Sequence, residues 1–353
     1  MKKIKLNNTY VGLEHKPYYI ADIGANHDGD LTRAKELVWI SKEAGADCAK
    51  FQHFLADKIV NDVEFNKLTS LKTHQSDWKK SVAEIYDDYH FKRDWTEEIY
   101  NECKKADIEF STSPYDFGAV ELVDKFVNFF KIGSGDLGWQ DFMSHVAKKQ
   151  KPMIIATGAS TLDEVEMAVD LLSEQQVILM QCNTNYTVEK DKHHFTNINV
   201  LKQYQEKFPN VVLGLSDHTL THGSTLGAIA LGARVIEKHF TDDNNRVGPD
   251  HKFALNPKKW REMVSLGNEL FECLGDGIKK VEENEKNAYV VQRRSVVCKD
   301  NLEKGHIITE EDLDFLRPCP ENSFHPYQWK ELIGKSLNKD KLSKESILKD
   351  DLC

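Results

Sequence analysis

The residues whose types and spacing invite chemistry in this 353-residue chain begin with two histidines. His218 stands in Gly214-Leu215-Ser216-Asp217-His218-Thr219 and His239 in Glu237-Lys238-His239-Phe240-Thr241. Each closes a short run of strand-forming residues. If those runs are neighbouring parallel strands, ~4.8 Å apart, the two imidazoles project at similar heights. Such a pair can share one divalent cation and leave positions open for substrate and water. Imidazole suits Zn, Fe or Ni, while added oxygen ligands shift preference towards Mn or Mg. A lone strand histidine is more often a hydrogen-bonded core residue. Two at matching strand ends, each beside a carboxylate (Asp217, Glu237), favour the metal.

Lys50, Lys131, Ser113, Ser134, Thr184 and Ser216 stand in similar strand-end contexts and make a candidate phosphate cradle. Gly133 and Gly135, in Lys131-Ile132-Gly133-Ser134-Gly135-Asp136, would let backbone amides approach the anion. Asp22 and Asp136 are the candidate acids or bases. Their structural alternative is ion pairing with Lys50 or Lys131. Arg246-Val247-Gly248-Pro249-Asp250-His251 follows the His239 segment as a glycine-proline turn carrying an acid, placed to touch a substrate.

The elements that must position these residues are eight runs, Tyr18–Ala25, Asp47–His53, Ile108–Ser113, Asn128–Ser134, Pro152–Thr157, Val177–Asn183, Val211–Ser216 and Arg234–Phe240. Amphipathic helical segments separate them. Leu31–Ala44 sets Ala34, Leu37, Val38, Ser41 and Ala44 on one face, and Thr161-Leu162-Asp163-Glu164 is a capping box. Eight strand–helix units over this length predict an α/β (β/α)₈ TIM barrel, whose catalytic groups sit at the C-terminal strand ends. A doubly wound sheet is the alternative, but no GxGxxG follows the first strand. The long stretch from Phe54 to Arg93 leaves a strand end, so it should border the site and be helical in part. Residues 1–274 form the predicted barrel domain, 275–292 a linker, and 293–353 a small C-terminal domain that should pack on something else.

Composition narrows the function. With 40% apolar residues the chain is ordinary globular protein, and a balance of 47 basic against 57 acidic residues disfavours nucleic acid as a partner. No apolar run approaches the ~20 residues of a membrane helix, and no apolar h-region follows the basic start. Seven scattered cysteines without a CxxC pair argue for a reducing cytoplasm.

In their order and spacing, several segments resemble the sialic acid synthase family, which includes N-acetylneuraminate, legionaminate and pseudaminate synthases. They are ADIGANHDG at 21–29, KFQ at 50–52, KIGSGD at 131–136, GLSDHT at 214–219, EKHFT at 237–241 and GPDH at 248–251. Arg294-Ser295, Leu302-Glu303-Lys304-Gly305, Thr309–Leu313, Leu316-Arg317-Pro318 and Ile333-Gly334-Lys335 are similar to the family's antifreeze-like (SAF) domain. The resemblance implies condensation of phosphoenolpyruvate with the open-chain aldehyde of an N-acylated amino sugar. The products would be a nine-carbon 2-keto-3-deoxy acid and phosphate. It also implies manganese, or magnesium or another divalent cation, on His218 and His239 as Lewis acid. Lys50, Ser113, Lys131, Ser134, Thr184 and Ser216 would hold phosphoenolpyruvate. Gln52, Asp136, Tyr186 and Asp250 would face the sugar, and Arg317 would reach the site of the other subunit in a domain-swapped homodimer.

The sequence departs from the family pattern at several points. Aspartate replaces the usual glutamate at Asp22 and Asp136, and Ala156 replaces a serine. Thr187, Val247 and Cys319 stand where proline, proline and glycine are expected. These changes point to an altered acceptor. An unusual aldose acceptor, or a non-catalytic sugar-binding barrel, are the competing readings.

Overall fold

The computed structural model describes residues 3–68, 78–186 and 190–353. The chain divides into two compact units, Met1–Gly275 and Asp276–Cys353.

The first unit opens with a hairpin, β1 (Ile4–Leu6) and β2 (Thr9–Val11). Eight parallel strands follow: β3 (Tyr18–Asp22), β4 (Cys48–His53), β5 (Glu109–Pro114), β6 (Phe130–Ile132), β7 (Met153–Ala156), β8 (Val177–Cys182), β9 (Val212–Asp217) and β10 (Val235–His239). Their hydrogen-bonded order is β5-β4-β3-β10-β9-β8-β7-β6. The outermost two, β5 and β6, touch and are successive in the chain. The sheet is thus a nearly closed TIM-like barrel, as the alternating pattern predicts.

Strand side chains alternate between two faces, and the apolar clusters follow that alternation. Tyr19, Ala21, Ala49, Phe51, Ile155, Leu179, Leu215 and Ile236 point outward and pack under the helices. Tyr18, Ile20, Cys48, Phe129, Ile154, Ile178, Val212 and Val235 point inward, where Ile4, Leu6 and Val11 of the hairpin join them. The hairpin therefore fills the interior beside the lower residues of the strands. Helix Leu31–Glu43 starts where the Asp30 carboxylate accepts from the amides of Thr32 and Arg33. The capping box at Thr161 and Glu164 is formed, opening helix Leu162–Leu171. The stretch after β4 contains helices Ala56–Ile59, Asp62–Phe65 and Val82–Tyr89.

The second unit pairs β11 (Ser295–Cys298) antiparallel with β12 (Leu313–Leu316). Val296, Cys298, Ile308, Phe324, Leu332, Leu337 and Ile347 form its core. Buried Lys341 is neutralised by Asp351 at 2.8 Å and Glu345 at 2.8 Å. Cys319 is buried in this unit. Among the described residues no helix is long and apolar enough to cross a membrane.

Candidate active site

The inward face of the barrel changes character within one step of its two-residue repeat. Ile20 gives way to Asp22, Cys48 to Lys50, Phe129 to Lys131 and Val235 to Glu237. Strand register brings these residues level. Asp22 lies opposite His239 on β10 and Lys50 on β4, while Ser216 lies opposite Cys182 and Glu237.

One half of the mouth centres on Asp22. Its carboxylate pairs with Lys50 Nζ at 2.7 Å, accepts from Gln52 Nε2 at 3.1 Å and lies 3.6 Å from His239 Nε2. Burial alone would raise the Asp22 pKa, but the Lys50 ammonium and then His239 overcome it and hold the carboxyl below its usual range. Lys50 is likewise disfavoured by burial and still lifted above its ordinary value by Asp22 and Glu237. Ser113 Oγ stands 3.5 Å from Lys50 Nζ.

The other half centres on Lys131, whose Nζ lies 3.2 Å from Glu237 Oε1; the same oxygen accepts from Ser216 Oγ at 3.2 Å. Glu237 Oε2 is buried without a hydrogen-bond partner. Lys131 therefore takes Glu237 as its ion pair, not Asp136. Ser134 Oγ accepts from the Gly158 amide at 3.0 Å, and the Cys182 thiol lies within reach of Ser134 and Ser216. A Cβ on Gly158 would stand 2.6 Å from Thr184 Oγ1 and 3.0 Å from Ser134 Oγ. The backbone thus approaches the hydroxyls at Gly158. A Cβ at Gly133 would make an ordinary 3.5 Å contact with the Tyr115 hydroxyl, and one at Gly135 would meet no protein atom within 4 Å.

Asp136 ends a single 3₁₀ turn, Ser134–Asp136, after β6. Burial pushes its carboxyl up to about 6, only partly offset by Lys131. It faces Tyr115, whose hydroxyl burial and the nearby Asp136 and Asp22 charges hold far above the usual phenol range.

The histidines face each other across the mouth, ring centroids 5.6 Å apart. His218 Nδ1 lies 2.9 Å from the Asn183 carbonyl oxygen, which assigns the proton to Nδ1 and leaves Nε2 as an acceptor. His239 Nδ1 is buried without a hydrogen-bond partner, 3.7 Å from Asp250 Oδ2. Two ring nitrogens on one cation allow centroids up to ~6.5 Å apart, so the pair fits a shared divalent ion. No group of three His, Cys, Asp or Glu side chains among the described residues could enclose one. The fit is to an open site of two imidazoles with positions left for oxygen ligands. Asp217 is no part of it. It points outward, where it pairs with Lys238 at 2.6 Å and accepts from Thr219. Inward parity of Val212, Gly214 and Ser216 already places His218 inside and Asp217 outside.

Asp250 Oδ2 accepts from the Ala25 amide at 3.2 Å. Gly24 has φ +53°, and a Cβ there would stand 2.8 Å from Asp250 Oδ2 and 3.4 Å from His239 Cε1. Only glycine keeps this wall of the mouth open. Buried His251 bridges Thr241 Oγ1 at 2.7 Å and Asp28 at 2.8 Å, tying the loop after β10 to the loop after β3. Tyr186 lies edge-on to His218 at 4.4 Å, and Phe253 packs on His239 at 4.9 Å.

The barrel mouth thus gathers Asp22, Lys50, Gln52, Ser113, Lys131, Ser134, Asp136, Thr184, Tyr186, Ser216, His218, His239 and Asp250. Arg317 belongs to the second unit, exposed there and donating to Gln292 Oε1 at 3.0 Å. Glu237 as partner of Lys131, Gly158, Cys182, Tyr115 and Phe253 were not read as site residues from sequence. Ala156 faces inward on β7 and is buried, so the missing hydroxyl is lost from the barrel interior. Val247 is solvent-exposed, and Thr187 lies outside the described residues.

Comparisons with known proteins agree with this architecture. Residues 37–279 match the NeuB family and 293–352 match the SAF domain. The chain is 32% identical over 338 residues to the N,N'-diacetyllegionaminic acid synthase of Campylobacter jejuni, covering 94% of this chain and 99% of that one. It is 31% identical to the human N-acetylneuraminate-9-phosphate synthase, covering 93% and 90%. The crystal structure of the spore coat polysaccharide biosynthesis protein spsE of Bacillus subtilis superposes with a TM-score of 0.65 at 27% identity, covering 100% and 99%. The eight-stranded barrel with its charged mouth and appended SAF domain belongs to an enzyme of the NeuB family, the sialic acid synthases that its motifs resemble.

Proposed function

We propose that the chain condenses phosphoenolpyruvate with the open-chain aldehyde of an N-acylated amino sugar, giving a nonulosonic acid and inorganic phosphate. The observation that carries this reading is the meeting of two buried ammonium groups and two facing imidazoles in one barrel mouth. Lys50, Lys131, Ser113, Ser134, Thr184 and Ser216 are the donors for the carboxylate and phosphate of phosphoenolpyruvate. Gln52, Tyr186 and Asp250 hold the sugar.

The bond changes of the proposed reaction are these. Phosphoenolpyruvate C3 attacks the aldehyde carbon and a C–C bond forms. The aldehyde oxygen takes a proton from Asp136, whose pKa of about 6 leaves some of it protonated near neutrality. C2 becomes electron-poor and is stabilised by the ionised Asp22. Water adds to C2 and gives a proton to Asp22. The C2–O bond to phosphate then breaks, the remaining C2 hydroxyl loses its proton to the leaving phosphate, and the ketone is formed.

A divalent cation on His218 and His239, manganese before magnesium, would supply Lewis acidity towards the aldehyde oxygen. Charge supports its presence. Two ammonium groups stand against Asp22, Glu237 and Asp250, so a multiply anionic substrate needs added positive charge. Arg317 offers more if a second copy of the chain supplies it in a domain-swapped dimer. Free thiols at all seven cysteines are consistent with a cytoplasmic enzyme.

The test is phosphate release from phosphoenolpyruvate with manganese across N-acylated hexosamines and simpler aldoses. Release that needs both an N-acylated aldose and the metal is expected. Silence with every acceptor, while phosphoenolpyruvate binds, overturns the reading.

A further inference from the structure

The second unit places a nucleophile beside a base, and the barrel chemistry uses neither. Cys319 stands just after β12, and its Sγ lies 3.1 Å from His325 Nδ1 and 3.4 Å from Ser323 Oγ. The Ser323 hydroxyl donates to the Pro320 carbonyl at 2.6 Å, so only its lone pairs face the thiol. Backbone bonds hold the cluster from both ends. The Cys319 amide donates to the Val290 carbonyl at 2.9 Å, and the His325 amide donates to Gln328 Oε1 at 3.0 Å. The imidazole stacks on Tyr327 at 5.3 Å and lies edge-on to Tyr289 at 6.4 Å.

Among the described residues no other cysteine has this setting. Burial pushes the thiols of Cys48, Cys103 and Cys298 up, and Cys273 and Cys353 are exposed. Cys182 Sγ lies 4.0 Å from His218 Nδ1, but that nitrogen holds its proton for the Asn183 carbonyl. His325 differs. Burial first, then the charges of Arg293 and Lys349, hold its pKa below the usual imidazole range, so the ring is neutral near pH 7 and can take a proton. A sulfur nucleophile within hydrogen-bond reach of a neutral imidazole is the geometry of base-assisted attack. Cys319 is 5% exposed, which suits a small electrophile and not a bulky one.

We infer that Cys319 is a peroxide-reactive thiol with His325 as its base, a site of reversible sulfenic acid formation. The sulfur attacks one oxygen of hydrogen peroxide as its proton passes to His325 Nδ1. An S–O bond forms, the O–O bond breaks, and the Nδ1 proton goes to the departing hydroxide to give water. The sulfur is oxidised and the peroxide reduced. A small thiol reverses the change: one molecule displaces the sulfenic hydroxyl as water and forms a mixed disulfide, and another cleaves that disulfide to restore Cys319. The step draws on nothing in the barrel and is independent of the condensation proposed there.

The test treats the full chain, reduced and freed of reductant, with hydrogen peroxide and dimedone, and maps the adducts by peptide mass. Labelling of Cys319 should run about tenfold faster or more than that of Cys273 or Cys353, although those two are the exposed thiols. His325→Gln should slow Cys319 labelling about tenfold or more and leave Cys273 unchanged. Ser323→Ala, which keeps the base, should retain most of it, and dithiothreitol added before dimedone should prevent it. Faster labelling of Cys273 or Cys353 than of Cys319 overturns the site, as does an unchanged rate in His325→Gln. If His325→Gln unfolds, which labelling of buried Cys298 would reveal, the wild-type ranking decides alone.

Discussion

The lower and upper halves of the barrel interior are made by the same strands and the same face, and they differ in kind. Below, Tyr18, Ile20, Cys48, Ile178, Val212 and Val235 close on Ile4, Leu6 and Val11 with no charge among them. Above, two residues further along, Asp22, Lys50, Lys131 and Glu237 are buried to within a few percent of full exclusion from water. Burial of apolar surface stabilises the lower layer directly. In the upper layer, desolvation opposes every charge, and the Lys50–Asp22 and Lys131–Glu237 pairs, with the hydrogen bonds of Gln52 and Ser216, offset it. The lower half holds the barrel together, and the upper half gives up stability to keep charges ready for an anionic substrate.

Replacing a buried pair with apolar residues separates the two roles most sharply. Lys131→Met combined with Glu237→Leu should reduce phosphoenolpyruvate turnover about 10³-fold. In the same protein, urea unfolding should show stability unchanged or raised by ~1–4 kcal/mol. A large loss of stability in the double variant would mean that the pair is structural. The reverse signature belongs below. Ile178→Ala should cost ~2–5 kcal/mol of unfolding free energy while kcat per folded molecule stays near wild type.

The smallest effect concerns Asp136. Its pKa of about 6 lies above that of an unfolded aspartate, ~3.9, so the native state binds its proton more tightly. The cost of ionising it is absent below pH ~4 and complete once pH has risen past about 6. Asp136→Asn should therefore gain on the order of 1–2 kcal/mol over wild type at pH 8, after allowing for solvent screening, with the gain gone at pH 4. Thermal unfolding at the two pH values reads the difference, and a gain independent of pH would contradict the assignment.

The sequence exposes the upper layer because strand alternation is a local property. Once Tyr18, Ile20 and Asp22 share a face, so do Cys48, Lys50 and Gln52, and the polar residues must meet at the barrel top. Which charge meets which is decided across strands. That is why Glu237, and not Asp136, neutralises Lys131. Adjacency to His218 does not bring Asp217 to the site, because strand parity turns it towards Lys238. The hairpin carries no periodic signal because its strands have three residues each, and its local mark is the turn at Asn7, with φ 52°. Gly158 is silent in the sequence for another reason: its close approach to Thr184 and Ser134 depends on neighbouring loops.

Burial alone does not mark the candidate metal-binding histidines. His53 is buried between the hydroxyls of Thr112 and Thr96, each at 2.8 Å, and desolvation drives its pKa down to about 3. His239 is also buried, in the barrel mouth, yet leaves Nδ1 without a hydrogen bond.

The most direct measurement is the manganese content of the chelated and reloaded protein, read together with phosphate release, in wild type, His218→Ala and His239→Ala. The account predicts one equivalent of manganese per chain and metal-dependent release in wild type, with both lost in either variant. Full loading of both variants, or full activity of either in chelated buffer, would contradict it.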